Sequence, residues 1–212
     1  MDSQFNLNNI DEMGRDILGE IGNIGMGKVA TSLSKILDKA IGISVPKVKI
    51  VGLSELDETL GMAEERVAGI LFQVSTDIEG MMMFVLQEQF AKEVIEVLMG
   101  TKVEELDALD EINTSVLQEV ANIMAGAYMS AISELTEFSI NLSVPYLAID
   151  MLGAIMNIPA VEFGEVGDKI LLIEETILGQ GKDYDCYLML IPTPDSLKKL
   201  LNKVGGVYGY SC

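Results

Sequence analysis

Carboxylate and carboxamide side chains recur in this chain at fixed spacing: Asp16, Glu20 and Asn23 in the first half, Ser115, Glu119 and Asn122 in the second. A carboxylate can pair with a cation or exchange a proton, and a carboxamide both donates and accepts, so it can hold a water without removing its proton permanently. Pro46 and Pro145 follow at matching distances, so both copies read [Asp/Ser]-x3-Glu-x2-Asn-x22-Pro, 99 residues apart. The flanks agree in character as well, from Ile17-Leu18 against Val116-Leu117 to Ile43-Ser44-Val45-Pro46 against Leu142-Ser143-Val144-Pro145. An ancestral duplication is the simplest source of such a pair.

Helix geometry gives the spacing its meaning, because residues three and four apart share one side of an α-helix. Asp16, Glu20, Asn23 and Gly27 fall within a stripe roughly 60° wide. Ile17, Leu18, Ile21, Ile24, Val29, Leu33 and Ile36 fill the wider arc that would face a core. Ser115, Glu119, Asn122 and Gly126 repeat the stripe. For one copy, a solvated helix face would explain the pattern. Two complete copies, among surface positions that have otherwise diverged (Lys28 to Ala127, Lys35 to Glu134), point to function.

Other chemistries fit less well. Gly22 to Lys28 satisfies most of the P-loop pattern G-x4-G-K, but Val29 stands where a metal-ligating Ser or Thr belongs and an amphipathic stretch precedes it instead of a strand. Glu20 and Glu119 occupy equivalent repeat positions, so they suit two copies of one site better than the two sides of a glycosidic bond, and there is no Trp to stack a sugar. The thirteen methionines, Met81-Met82-Met83 among them, read as core packing.

A net charge of −19 with only 14 Lys and Arg disfavours nucleic acid and anionic membrane as partners and favours a basic protein surface. With no histidine, the usual general base and the commonest metal ligand are missing. Cys186 and Cys212 make no disulfide framework. No signal-peptide layout and no apolar run of membrane-spanning length is seen, so a cytoplasmic protein without membrane insertion is expected.

The elements that must position these residues follow from periodicity. We expect a helix over about 11–39, with Asn8, Asn9 and Asp11 as candidate caps, a strand from Lys47 to Val51, and a short helix at Leu56 to Leu60. Val67 to Gln73 and Gly80 to Leu86 read as an antiparallel pair, and a helix from Gln87 to Met99 ends at Gly100. After the acidic link Glu104 to Glu111 the plan recurs: helix 111–138, strand 140–144, a helical Ile149 to Ile158, paired strands Lys169 to Leu178 and Tyr184 to Ile191, and a helix from Ser196 to Val204. The expected class is α+β with antiparallel sheets, one domain over 1–212 whose pseudo-repeats span about 11–100 and 110–205.

These residues closely resemble the CheC family of bacterial chemotaxis phosphatases, whose signature is [Asp/Ser]-x3-Glu-x2-Asn-x22-Pro. The resemblance implies two pseudo-symmetric halves with exposed motif helices, and hydrolysis of the aspartyl phosphate on the chemotaxis response regulator CheY. Relatives include CheX, with one motif copy, and FliY, whose further switch domain has no room here. Phosphoryl transfer is mostly positioning and electrostatics. On that reading Asn23 and Asn122 orient the attacking water, Glu20 and Glu119 pair with a partner lysine, and Asp16 and Ser115 support. Gly27 and Gly126 would admit the partner's backbone. No cofactor or metal is expected in this chain, the magnesium ion belonging to the partner's acidic pocket. The resemblance also implies binding of the deamidase CheD through Asp150, within Leu147 to Ile155. The alternative reading is a non-enzymatic adaptor for CheY or CheD, and intact Glu and Asn in both copies favour the enzyme.

Overall fold

The computed structural model describes residues 12–52, 64–163, 169–179 and 182–207, the side chains of 159–163, 169 and 207 excepted. In chain order the elements are α1 (Glu12–Leu37), β1 (Gly42–Ile43), β2 (Lys47–Gly52), β3 (Arg66–Thr76), β4 (Gly80–Gln87), α2 (Glu88–Met99), a single 3-10 turn (Leu106–Ala108), α3 (Glu111–Thr136), β5 (Ile140–Leu142), β6 (Tyr146–Met151), α4 (Leu152–Phe163), β7 (Lys169–Leu178), β8 (Asp183–Pro192) and α5 (Pro194–Val207). The expected helix at Leu56 to Leu60, the caps at Asn8, Asn9 and Asp11, and Cys212 lie outside the described residues.

The strands form one antiparallel sheet in which each half lends strands to the other. At the centre β4 pairs with β8, Met83 opposite Met189. β7 flanks β8 and receives β1 and β2 from the first half, and β3 flanks β4 and receives β5 and β6 from the second. The hairpin β3–β4 turns where Thr76 and Gly80 take positive φ. A side chain at Gly80 would meet the Ile191 carbonyl oxygen at 2.2 Å, so glycine is required there.

Both sheet faces are buried at the centre, which is why Met81 to Leu86 is apolar without alternation. One face carries the main core, in which Ile17, Leu18 and Leu33 of α1, Leu117, Val120 and Met124 of α3, Val94 of α2 and Leu200 of α5 meet Ile70, Phe72, Phe84, Ile173 and Leu188. On the other face Leu152, Ile155 and Met156 of α4 cover Met81, Met83 and Met189. α4 approaches closely at Gly69, where an added Cβ would lie 2.6 Å from Ile155. Met81, Met82 and Met83 thus pack, as expected, whereas Met13, Met99 and Met151 are exposed.

Two strands differ from the sequence reading: the short β1 was not expected, and β6 takes residues read as helix. Residues Ile149 to Met151 belong to β6, and helix α4 begins only at Leu152. The run Leu147 to Ile155 is apolar on both periods, so periodicity alone does not separate strand from helix. Pairing decides: Leu147, Ile149 and Met151 fall opposite Ile70, Ala68 and Arg66 of β3. The duplicate of β6 is β2, which the sequence did show as a strand.

Candidate functional site

Both motif copies are single helical stripes. Asp16, Glu20 and Asn23 lie on α1 with Glu20 half-buried and the other two exposed. Ser115, Glu119 and Asn122 on α3 are all exposed. The opposite arc of each helix is buried, with Ile17, Leu18, Ile21, Val29 and Leu33 against the sheet, so the stripes turn outward because the core fixes the helix rotation. Ile24 and Ile36 are half-buried at the margin. The stretch Gly22 to Lys28 lies inside α1 with no phosphate loop, as its context suggested.

The helices that carry the stripes end alike. α1 is followed by Asp38 (φ 48°) and α3 by Glu137 (φ 61°), non-glycine residues in the left-handed conformation at matched positions. The Glu137 N–H donates to the Ser133 carbonyl at 2.7 Å and the Lys39 N–H to that of Ser34 at 3.2 Å. At the start of α3, Asp110 caps the Asn113 N–H at 2.8 Å. Pro46 and Pro145 stand immediately before β2 and β6, where their fixed φ suits an extended start.

Contacts around the stripes separate residues that hold the helices from those left open. α1 and α3 pack on each other at Gly25, where an added Cβ would lie 2.3 Å from the Tyr128 ring. Lys28 pairs with Glu134 at 2.5 Å across the same two helices, and this lysine holds Glu134 below the usual carboxylate range. By contrast Gly27 and Gly126 face open space. Thr31 donates its hydroxyl to the Gly27 carbonyl at 2.9 Å and Ser115 to that of Glu111 at 2.7 Å. The Ser115 oxygen therefore has acceptor capacity left over, which Asp16 supplies in the first copy.

Gln118 was not singled out from the sequence, yet it borders the second stripe and donates from Nε2 to the Pro145 carbonyl at 3.3 Å. Gly19 occupies its place in the first copy. The polar residue beside the second motif glutamate was the signal available. Asp150 is exposed on β6, opposite Val67, and accepts from the Met151 N–H at 2.7 Å. It is an edge-strand acid on an element separate from both motif helices, not a helix-start residue. Among the described residues no cluster of three or more acids or thiols is placed to hold a metal ion, and no helix is long and apolar enough to cross a membrane.

The model of the CheC-like family matches residues 13–50 and 112–149, the same two segments the repeat predicts. The chain is 32% identical over 203 residues to the CheY-P phosphatase CheC of Bacillus subtilis (strain 168), covering 94% of this chain and 97% of that protein. This chain belongs to the CheC family. The flagellar motor switch phosphatase FliY of the same organism is 29% identical over 66% of this chain and 36% of its own length. The crystal structure of Thermotoga maritima FliY superposes with a TM-score of 0.75 at 27% identity, covering 94% of this chain and 99% of that one. The CheC-family sheet and helices described above thus recur in a solved structure, and the duplication is visible in sequence and fold alike.

Proposed function

We propose that this CheC-family chain dephosphorylates the aspartyl phosphate of a CheY-type response regulator in the cytoplasm. The observation that carries the reading is the outward-facing Glu/Asn pair, complete on both α1 and α3, in a chain similar end to end to a CheY-P phosphatase. Aspartyl phosphate hydrolysis requires a water in line with phosphorus and stabilisation of the equatorial oxygens. The carboxamides of Asn23 and Asn122 enter the partner's site and hold that water, as the orienting glutamine does in GTPases. Glu20 and Glu119, one turn away, pair with a partner lysine and set the docking register, with Asp16 and Ser115 as supporting contacts. Gly27 and Gly126, open on the same stripe, leave room for the partner's backbone. The magnesium ion is the partner's, held in its acidic pocket.

CheD is a second partner on this reading, and the exposed Asp150 on β6 is the contact proposed for it. The test of the main reading is the decay of phosphorylated CheY with wild type, Asn23→Ala, Asn122→Ala and the double variant, with binding followed in parallel. Wild type accelerates decay, and the double variant binds but loses on the order of 100-fold of that acceleration. Wild type that binds without accelerating decay would make the chain an adaptor.

A further inference from the structure

Both motif stripes extend one step beyond their polar residues. Three residues before Asp16 and three before Ser115 stand Met13 and Ile112, the same position in the two copies. Each precedes its motif glutamate by seven residues, which on a helix places it within roughly 20° of that glutamate, on the outward stripe and off the buried arc. Met13 is 36% exposed and Ile112 61%. Among the described residues they are the only large apolar side chains exposed on α1 and α3.

One exposed apolar side chain is ordinary. Two at one repeat position, each at the head of a stripe that the fold turns outward, need a cause. Helix capping does not supply it: Asp110 caps α3 at the Asn113 N–H, so the residues a hydrophobic staple would join are Leu109 and Thr114, and Ile112 is neither. The core does not supply it either, since Leu109 and Val116 pack against the core on either side of Ile112 while Ile112 stays out. At the other end the stripes are small and polar, Gly27 and Thr31 on α1, Gly126 and Ser130 on α3. Each stripe is therefore apolar at its N-terminal end alone.

We propose that Met13 and Ile112 are the apolar anchors of the two docking faces, each packing on an apolar patch of the response regulator. The inference rests on the function proposed above. Ten residues separate each anchor from its asparagine, so the patch lies about 15 Å along the helix from the phosphoryl site. Continuity fixes the occupant: a domain of about 100 residues has a radius of gyration near ~13 Å, so one that presents its aspartyl phosphate to the asparagine is wide enough to cover the head of the same stripe. Glu, Asn and Gly set register but offer little apolar area, and binding energy in specific interfaces concentrates in a few buried anchors. The faces are unequal. Ile112 stands further out and, being β-branched, loses less rotamer freedom on burial than methionine, so the second face binds more tightly.

The test is binding of CheY held in its phosphorylated form by beryllofluoride, with the steady-state decay of phosphorylated CheY alongside. Met13→Gln/Ile112→Gln, which keeps good helix formers in place, weakens Kd about tenfold. KM rises in parallel while kcat holds, and Met13→Leu/Ile112→Leu stays near wild type. With Asn23→Ala, which leaves decay to the second face, adding Ile112→Gln raises KM and adding Met13→Gln does not; with Asn122→Ala the roles reverse. Unchanged thermal melting of the glutamine variants shows that the fold is intact, and Met13→Ser/Ile112→Thr gives a second polar pair. Wild-type Kd in both polar pairs would overturn the proposal, as would a fall in kcat at constant KM. Wild type that does not bind CheY would remove the anchors together with their partner. Wild type that binds without accelerating decay would remove the phosphatase reading alone, and Kd would then decide the anchors.

Discussion

At the scale of single residues, the exposed polar groups and the buried ones play different parts. Among the described residues the Asn23 and Asn122 side chains make no hydrogen bond, as the proposed water-holding role needs, whereas Glu175 is locked in. It lies on β7 opposite Cys186, only 4% exposed, and neither carboxyl oxygen has a hydrogen-bond partner among the described residues. Burial pushes its pKa up to about 8. The same burial, with Glu175 nearby, raises the Cys186 thiol and the Tyr128 phenol, whose hydroxyl is likewise without a partner. Below about pH 4.5 Glu175 is protonated whether folded or unfolded. Between there and pH 8 the folded chain keeps a proton that the unfolded chain releases, so stability falls as pH rises. Thermal melting of wild type should therefore drop from pH 5.5 to 8.5. Glu175→Gln and Glu175→Leu should flatten that slope and gain on the order of a few kcal/mol at pH 8.5. A slope unchanged in both variants would assign it to another group.

At the scale of elements, the central contact is α1 on α3. Gly25 has no room for a methyl beneath the Tyr128 ring, and Gly27, two residues on, has open space. Gly25→Ala should destabilise by about 1–3 kcal/mol through overpacking, despite alanine's better helix propensity. Gly25→Ala with Tyr128→Val should recover part of that loss, and urea midpoints of the four chains of this double-mutant cycle measure the coupling. The contrast was not legible in the sequence, where the glycines of α1 look alike and only weaken the helix. What the sequence did show rested on period and punctuation: both long helices from the apolar arc behind Glu20 and Glu119, both hairpins from their β-branched runs, and the end of α2 from Gly100 at φ 70°. Strand β6 was hidden because Leu147 to Ile155 fits two periods, although β2 one repeat earlier resolves it. The stripe residues were legible because duplication repeats them. Gln118 and Tyr128 were not, because their roles depend on which segment of the other element meets them.

At the scale of the whole molecule, duplication has produced two halves that need each other. Strands β1 and β2 have their ladders on β7, and β5 and β6 have theirs on β3, so each half lends two strands across the molecule in addition to sharing the β4–β8 seam. Such pairing is non-local and cannot be read from local pattern. A chain divided in the acidic link, as 1–104 and 105–212, leaves each half with unpaired lent strands and half a core, and neither should show a cooperative urea transition alone. Self-pairing is the natural alternative, since two copies of one half could imitate the whole, but the helix contact argues against it. The large and small residues of the α1–α3 pair are exchanged between copies: Gly25 meets Tyr128, and the matched positions hold Met124 and Val29, all four buried. Two first halves would set Gly25 against Val29 and leave a void, while two second halves would force Met124 against Tyr128. Mixing the fragments should therefore restore a 1:1 complex and the cooperative transition, detected by analytical ultracentrifugation and circular dichroism. A stable homodimer of either half, equal in stability to the mixed complex, would show that the exchanged sizes do not enforce the pairing.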